Sequence, residues 1–318
     1  GECSPVPGYS LETLDDCRSW LTGRLSALVA GSPPPPAAGP ATARFALETA
    51  IADLAARRSG EPLWRTIGGV SGLVPVGAVI GLDPPVDRLP SLALDLAAAG
   101  YRRIKLKVDR DRGPERVAAV RRALPEHDLA VDANGTLDPT APESAARFDS
   151  FDLSFVEQPF PAVDLDAHAR LTGLMETPVC LDESIDGVAA AARAIDAGAA
   201  SVVNLKPARL GGLQATVAVH DLVLSAGWSA WCGGMLESGI GKAAALAAAT
   251  LPGMTRPADL PPSARHFDTD AIDPGWVMDD GMLRLPSRPG LGVDPDPEFL
   301  ERAAAASTAF GDDVGLPA

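Results

Sequence analysis

The sequence predicts an α/β fold: a TIM-type (β/α)7–8 barrel with a smaller α+β capping domain built from the N-terminal and C-terminal segments. Three observations predict it. Between residues 74 and 258, short β-rich runs alternate with Ala/Leu-rich helical stretches, which is the pattern of a parallel sheet. The runs end at or near Lys107, Asp132, Glu157, Asp182, Lys206 and Trp231, which are 25, 25, 25, 24 and 25 residues apart. Before residue 74 and after about residue 260 this regularity is absent. The expected division is therefore 1–73 for the first part of the capping domain, 74–258 for the barrel, and 259–318 for a segment returning to the cap.

Leu14, Cys17, Leu21, Leu25 and Leu28 recur at three- and four-residue steps, the period of an amphipathic helix, with Ser10 as its expected cap. SPPPPAAGPA (32–41) reads as a stiff extended linker. A second helix is expected through Phe45, Leu47, Ile51 and Leu54. It should end near Arg57-Arg58-Ser59-Gly60, because cations followed by Gly suit a helix C-terminus. The β-rich runs are VPVGAVIG (74–81), YRRIKLK (101–107), DLAVDA (128–133), LSFVE (153–157), PVCLD (178–182), SVVNLK (201–206) and WSAWC (228–232). Pro114 marks a first helical turn, Asp164 and Asp186 are expected caps, and Gly100, Gly198 and Gly227 are expected stops. A 25-residue step back from Lys107 reaches Leu82, and a step forward from Trp231 reaches Arg256, where a weak eighth strand is expected. WVMDDGMLRL (276–285) reads as a hairpin around Asp280-Gly281.

Composition bounds the function. The 318 residues are 46% hydrophobic and 22% charged, as in a folded globular protein. With 27 Lys+Arg against 42 Asp+Glu the net charge is −15, which argues against nucleic acid or an anionic membrane as partner. No apolar run reaches the roughly 18–20 residues that span a bilayer. GECSPVPGYS has no basic segment followed by an apolar one, so a cytoplasmic location is expected. Cys3, Cys17, Cys180 and Cys232 are scattered and read as small buried hydrophobes.

Residues two apart on a strand point the same way, so Lys105 and Lys107 share the barrel interior while Ile104 and Leu106 face the outer helices. Two interior ammonium groups need anionic partners. Asp132, Glu157 and Asp182 end the next three strands, at the face where barrel active sites lie. Three converging carboxylates repel each other unless a cation joins them, and hard oxygen ligands suit Mg²⁺, with Mn²⁺ as the alternative. Lys206 ends the sixth run, across the mouth from Lys107. A metal flanked by two lysines suits abstraction of a proton next to a carboxylate, since a lysine beside another cation becomes a usable base.

The series Lys105-x-Lys107, Asp132-Ala-Asn134, Glu157-Gln-Pro159, Asp182-Glu-Ser184 and Asn204-Leu-Lys206-Pro207 resembles the enolase superfamily, muconate-lactonizing-enzyme subgroup. The stretches YRRIKLK, PVCLDESI, KPARLGG (206–212) and WCGGMLESGIGKAAALAAATLPG (231–253) are similar to the o-succinylbenzoate synthase / N-succinylamino acid racemase family. The resemblance covers nearly the whole chain. It implies a Mg²⁺-dependent enzyme working through an enediolate on a small carboxylate substrate, and a homo-oligomer. Asp132, Glu157 and Asp182 are implied as metal ligands, Lys107 and Lys206 as acid/base lysines, and Lys105 as support for Lys107. Asn134, Asn204, Arg209, Gly233, Gly234, Met235, Glu237 and Ser238 are implied as substrate-binding or supporting residues, with Arg209 tuning Lys206. The strands with which that family's capping domain begins, before the motif matching Gly1-Glu2-Cys3-Ser4, are not in this sequence.

Two reactions use the same residues: syn dehydration to o-succinylbenzoate in menaquinone biosynthesis, which is preferred, and racemisation of an N-acylamino acid. A non-catalytic metal- or ligand-binding barrel is the alternative from another class. Dipeptide epimerisation expects an acidic pair on strand eight, and 252–257 has none. Gly239-x-Gly241-x-x-Ala244 mimics a dinucleotide fingerprint but comes late in the chain. A P-loop would need glycine where Leu236 stands. His127, His168, His220 and His266 are expected at the surface or packed on helices, and Glu183 is expected to alternate away from the site.

Overall fold

The computed structural model describes residues 1–29 and 38–309; most of the expected Pro-rich linker lies outside the described residues. Seven strands form one parallel sheet in chain order: β2 (Gly77–Ile80), β3 (Arg103–Lys107), β4 (Asp128–Asp132), β5 (Val156–Glu157), β6 (Val179–Leu181), β7 (Val202–Leu205) and β8 (Ser229–Cys232). Helical segments alternate with the strands, α-helices at every crossover but the one from β4 to β5, which carries the 3-10 helix Pro142–Phe151, and the spacing of about 25 residues follows. The run 74–81 is not one strand. β1 (Leu73–Pro75) pairs antiparallel with β10 (Met282–Arg284), which pairs with β9 (Met278–Asp279). The expected hairpin turns at Asp280 and Gly281, both with positive φ, as a tight two-residue turn requires.

The eighth strand is reduced to two residues. Ala258 bridges Val76, and Asp259 bridges Gly233. The Gly77 N–H donates to the Ala258 carbonyl at 2.9 Å, and the Asp259 N–H donates to the Cys232 carbonyl at 3.1 Å. This pair joins β2 to β8 and closes the barrel two to three residues beyond the expected position at Arg256.

Ile104 and Leu106 are fully buried in the core between strands and outer helices. The interior holds a separate apolar cluster of Ala130, Phe155, Cys180, Val202 and Trp231. Phe155 and Trp231 stack with centroids 5.4 Å apart, and the Arg103 guanidinium lies 4.2 Å from the Trp231 ring. The lower barrel is thus filled, and the open end is the C-terminal face of the sheet.

The helix α1 (Leu14–Val29) starts one turn later than a Ser10 cap would place it. Thr13 caps it: the Asp16 N–H donates to Thr13 Oγ1, and the Thr13 N–H donates back to Asp16, a reciprocal capping box. Ser10 Oγ instead accepts from the Val6 N–H. Only part of the expected apolar stripe is covered. Cys17 is buried against Thr42 of α2 (Ala41–Ser59), while Leu14 and Leu25 are exposed, because α1 packs chiefly on α2. The helix α2 ends as expected, at Gly60 in the left-handed region after Arg57 and Arg58. Asp164 caps the helix Leu165–Thr172. Asp186 makes no cap; Gly187 takes that position on extended backbone. Among the described residues no helix is long and apolar enough to cross a membrane.

Candidate active site

The site is assembled from strand ends. Register pairs Lys107 with Asp132 and Asp132 with Glu157, while Asp182 follows β6 and Lys206 follows β7 by one residue each. Asp132, Glu157 and Asp182 are all essentially inaccessible to solvent. The order β3 to β7 therefore sets two lysines on either side of three buried carboxylates. All five residues stand at the mouth where the 25-residue spacing put them.

Lys107 Nζ donates to Asp132 Oδ2 at 2.7 Å and to Asn134 Oδ1. Lys105 lies deeper, donating to Glu157 at 2.6 Å and pairing with Asp259 at 2.7 Å and Asp132 at 3.5 Å. Burial disfavours its ammonium, yet Asp259, Glu157 and Asp132 hold its pKa well above the ordinary lysine value. Asn204 donates to the other oxygen of Glu157 at 2.7 Å. Across the mouth, Lys206 Nζ donates to Asp182 Oδ2 at 2.9 Å and to the Tyr9 hydroxyl at 2.7 Å. Arg209 donates to the second oxygen of Asp182 and also to Tyr9. Burial opposes the charge of Asp182, but Arg209 and Lys206 keep it well below the ordinary carboxylate range.

The residues between the charged groups explain the motifs. In Glu157-Gln-Pro159, Gln158 Oε1 accepts the Asp182 and Ser184 N–H groups, and its amide donates to Ser184 Oγ, locking two strand ends together. Asn134 and Gln158 hold φ of 42° and 38°, a strained conformation that side-chain bonds maintain beside the site. Glu183 does not alternate away. β6 ends at Leu181, strand alternation lapses, and Glu183 accepts from Asn134 Nδ2 at 2.8 Å.

A cavity of about 450 Å³ opens above these groups, lined by Lys105, Lys107, Asp132, Asn204 and Lys206 on the barrel side. Gly233, Gly234, Met235, Leu236 and Glu237 form one wall, and Val6 and Tyr9 form part of the cover. A Cβ on Gly233 would sit 2.5 Å from Asn204 and 3.0 Å from Lys206, so only glycine lets this wall approach the lysine. Ser238 does not line the cavity. It caps the helix Gly239–Ala248, and Glu2 accepts from its N–H and hydroxyl and from the Gly241 N–H at 2.6–2.7 Å. With Asp270 accepting from the Gly239 N–H, the helix N-terminus that mimics a dinucleotide motif is filled by the protein's own carboxylates.

Four contributors were not expected from sequence. Tyr9 and Glu2 come from a segment with no periodic signal. Asp259, in the two-residue eighth strand, pairs with Lys105 and with Arg103 at 3.0 Å. One acid therefore occupies strand eight at a position outside 252–257, and it is spent on two cations. His266 is exposed, as expected, but also lines the cavity mouth, and His168 is buried against Gln158.

The donor set suits a hard divalent cation. Three buried carboxylates end adjacent strands, and Asn204 Oδ1 and Glu183 Oε2 are buried oxygens without partners. Burial, reinforced by Asp132 and only partly offset by Lys105, pushes the pKa of Glu157 up to about 8, the behaviour of a carboxylate short of counter-charge. Among the described residues no three acidic, His or Cys side chains surround a common point closely enough to hold an ion as they stand; lysine and arginine side chains occupy the carboxylate oxygens.

A family model described as Enolase C-terminal domain-like matches residues 88–299. The o-succinylbenzoate synthase of Geobacillus kaustophilus is 39% identical over 268 residues, covering 84% of this chain and 72% of that protein. The N-succinylamino acid racemase of Thermus thermophilus is 41% identical over 267 residues, again covering 84% and 72%. A crystal structure of an enolase superfamily member from Listeria innocua superposes with a TM-score of 0.88 at 31% identity, covering 95% of this chain and 84% of that one. Strand-end chemistry, closed parallel barrel and sequence likeness agree: the chain belongs to the enolase superfamily, in the family of o-succinylbenzoate synthases and N-succinylamino acid racemases.

Proposed function

We propose that this protein removes a proton α to a substrate carboxylate and carries out the syn dehydration that yields o-succinylbenzoate. One observation supports this most: two lysines reach one cavity from β3 and from the end of β7, with buried carboxylates on the three intervening strands. Enolase superfamily members use Mg²⁺; held here by Asp132, Glu157 and Asp182, it or Mn²⁺ would supply positive charge against the substrate's carboxylate.

Lys107, as the free amine and oriented by Asp132 and Asn134, takes the α-proton and becomes the ammonium. It then delivers that proton to the hydroxyl leaving from the same face, so one C–H and one C–O bond break and water departs. Lys206 stands opposite as a fixed cation beside the charge that develops on the substrate. Lys105 supports this arrangement from below by anchoring Glu157 and Asp132. The glycine-lined wall from Gly233 to Glu237 gives room to the substrate's remaining part, and the described residues before the barrel act with those after Asp259 as the cap.

Racemisation of N-succinylamino acids is the second reading, favoured by the fact that Lys206 also lines the cavity, where a second base would have to stand. Purified protein with Mg²⁺ in D₂O should exchange the α-proton of an N-succinylamino acid and should form o-succinylbenzoate from its hydroxylated precursor. Product formation without racemisation supports the synthase, and interconversion of enantiomers supports the racemase. Absence of both exchange and dehydration leaves only a binding barrel.

A further inference from the structure

The segment from Gly1 to Thr13 crosses the mouth as a strap. Its two ends are fixed: Glu2 takes three donors at the start of the helix Gly239–Ala248, and Thr13 caps α1. Between them Tyr9 reaches into the site. Its hydroxyl accepts from Lys206 at 2.7 Å and from Arg209 and donates to Asp182 at 2.8 Å, and its ring lies 4.8 Å from the Lys206 ammonium and 5.1 Å from the Arg209 guanidinium. A long flexible lysine has four rotatable bonds and would otherwise spread over many rotamers. Here the Tyr9 hydroxyl restricts it from one side and Asp182 restricts it from the other. No equivalent aromatic group touches Lys107 among the described contacts.

We propose that Tyr9 is a positioning residue for Lys206: its hydroxyl holds the ammonium at the wall of the cavity, so the strap governs chemistry on the face opposite Lys107. This rests on the reading of Lys206 as facing the substrate. It predicts an asymmetry that general damage would not produce. Proton exchange on the Lys206 face should depend on Tyr9, and exchange on the Lys107 face should not.

The test follows deuterium uptake from each enantiomer of an N-succinylamino acid in D₂O with Mg²⁺. The Lys206 face is identified as the one silenced in Lys206→Arg. In Tyr9→Phe, kcat for exchange on that face should fall roughly tenfold, the size of one hydrogen bond to a charged group, with KM unchanged. Exchange on the Lys107 face should stay within about twofold. Equal losses on both faces, or no loss on either, overturn the proposal. A second measurement needs neither turnover nor metal. In Tyr9→Ala, acetylation of Lys206 by an amine-reactive reagent, read by peptide mass spectrometry, should rise severalfold while that of Lys107 does not change. Unchanged labelling of Lys206 overturns the Tyr9 proposal whatever the activity. Altered labelling without exchange in the wild-type protein overturns the catalytic reading alone.

Discussion

The two lysines of the mouth are the same residue type at equivalent strand ends, yet they are held differently. Lys107 is bound by a single motif, Asp132 and Asn134, and its side chain keeps 29% of its surface exposed. Lys206 is enclosed by Asp182, Tyr9 and the neighbouring Arg209, and its side chain is 11% exposed. A group that must carry a proton to and fro needs room to approach two substrate atoms in turn. A group that only stabilises charge gains from being fixed in advance. The difference therefore favours dehydration with Lys107 as the mobile acid/base and Lys206 as the fixed cation.

The sharpest way to break this comparison is Lys107→Ala. Loss of the acid/base group should lower dehydration and exchange on its face by on the order of 10²–10⁴-fold, measured by product formation and deuterium uptake. Lys206→Arg keeps a cation but cannot release a proton. Dehydration should then persist within about tenfold, while racemisation drops by on the order of 10²-fold or more. If dehydration collapses equally, Lys206 is more than a fixed charge.

Asp259→Asn probes the support beneath the Lys107 side. It leaves Arg103 and Lys105 buried without their shared partner and should cost about 3–5 kcal/mol in urea unfolding. Burial opposes the charge of Asp259, but Lys105 and Arg103 hold its pKa at about 2, below the ordinary 3.8. Its charge-linked stabilisation, about 2 kcal/mol, is therefore present above about pH 4 and lost as pH falls through about 2. The variant should lack that acid limb in unfolding curves recorded across this range. The smallest expected effect is Thr13→Ala. Losing the cap of α1 should cost about 1 kcal/mol and, by loosening the strap next to Tyr9, weaken exchange on the Lys206 face only.

What could be read from sequence was whatever repeats. A βα unit of nearly constant length forces charged residues to recur at strand ends, so Lys107, Asp132, Glu157, Asp182 and Lys206 stand out from their spacing alone. Strand alternation likewise put Lys105 inside and Ile104 and Leu106 outside. Tyr9 and Glu2 do not stand out, because their partners lie 173 to 239 positions away and no local pattern marks them. Asp259 is unmarked in the sequence because two bridging residues carry no strand signal, and the acid of strand eight therefore lies outside 252–257. Ser10 and Asp186 failed as caps for a local reason: each lies at least one residue outside the helix start, where its side chain cannot reach the free N–H groups.

The bond from Glu2 to Ser238 has a further consequence for biosynthesis. At about 5–20 residues per second, a ribosome that has released residue 2 needs on the order of ten to fifty seconds to add the helix that receives it. The N-terminal strap can therefore be pinned at Glu2 only after the chain has been made through Gly241, and the barrel that it covers closes later still, at Ala258 and Asp259.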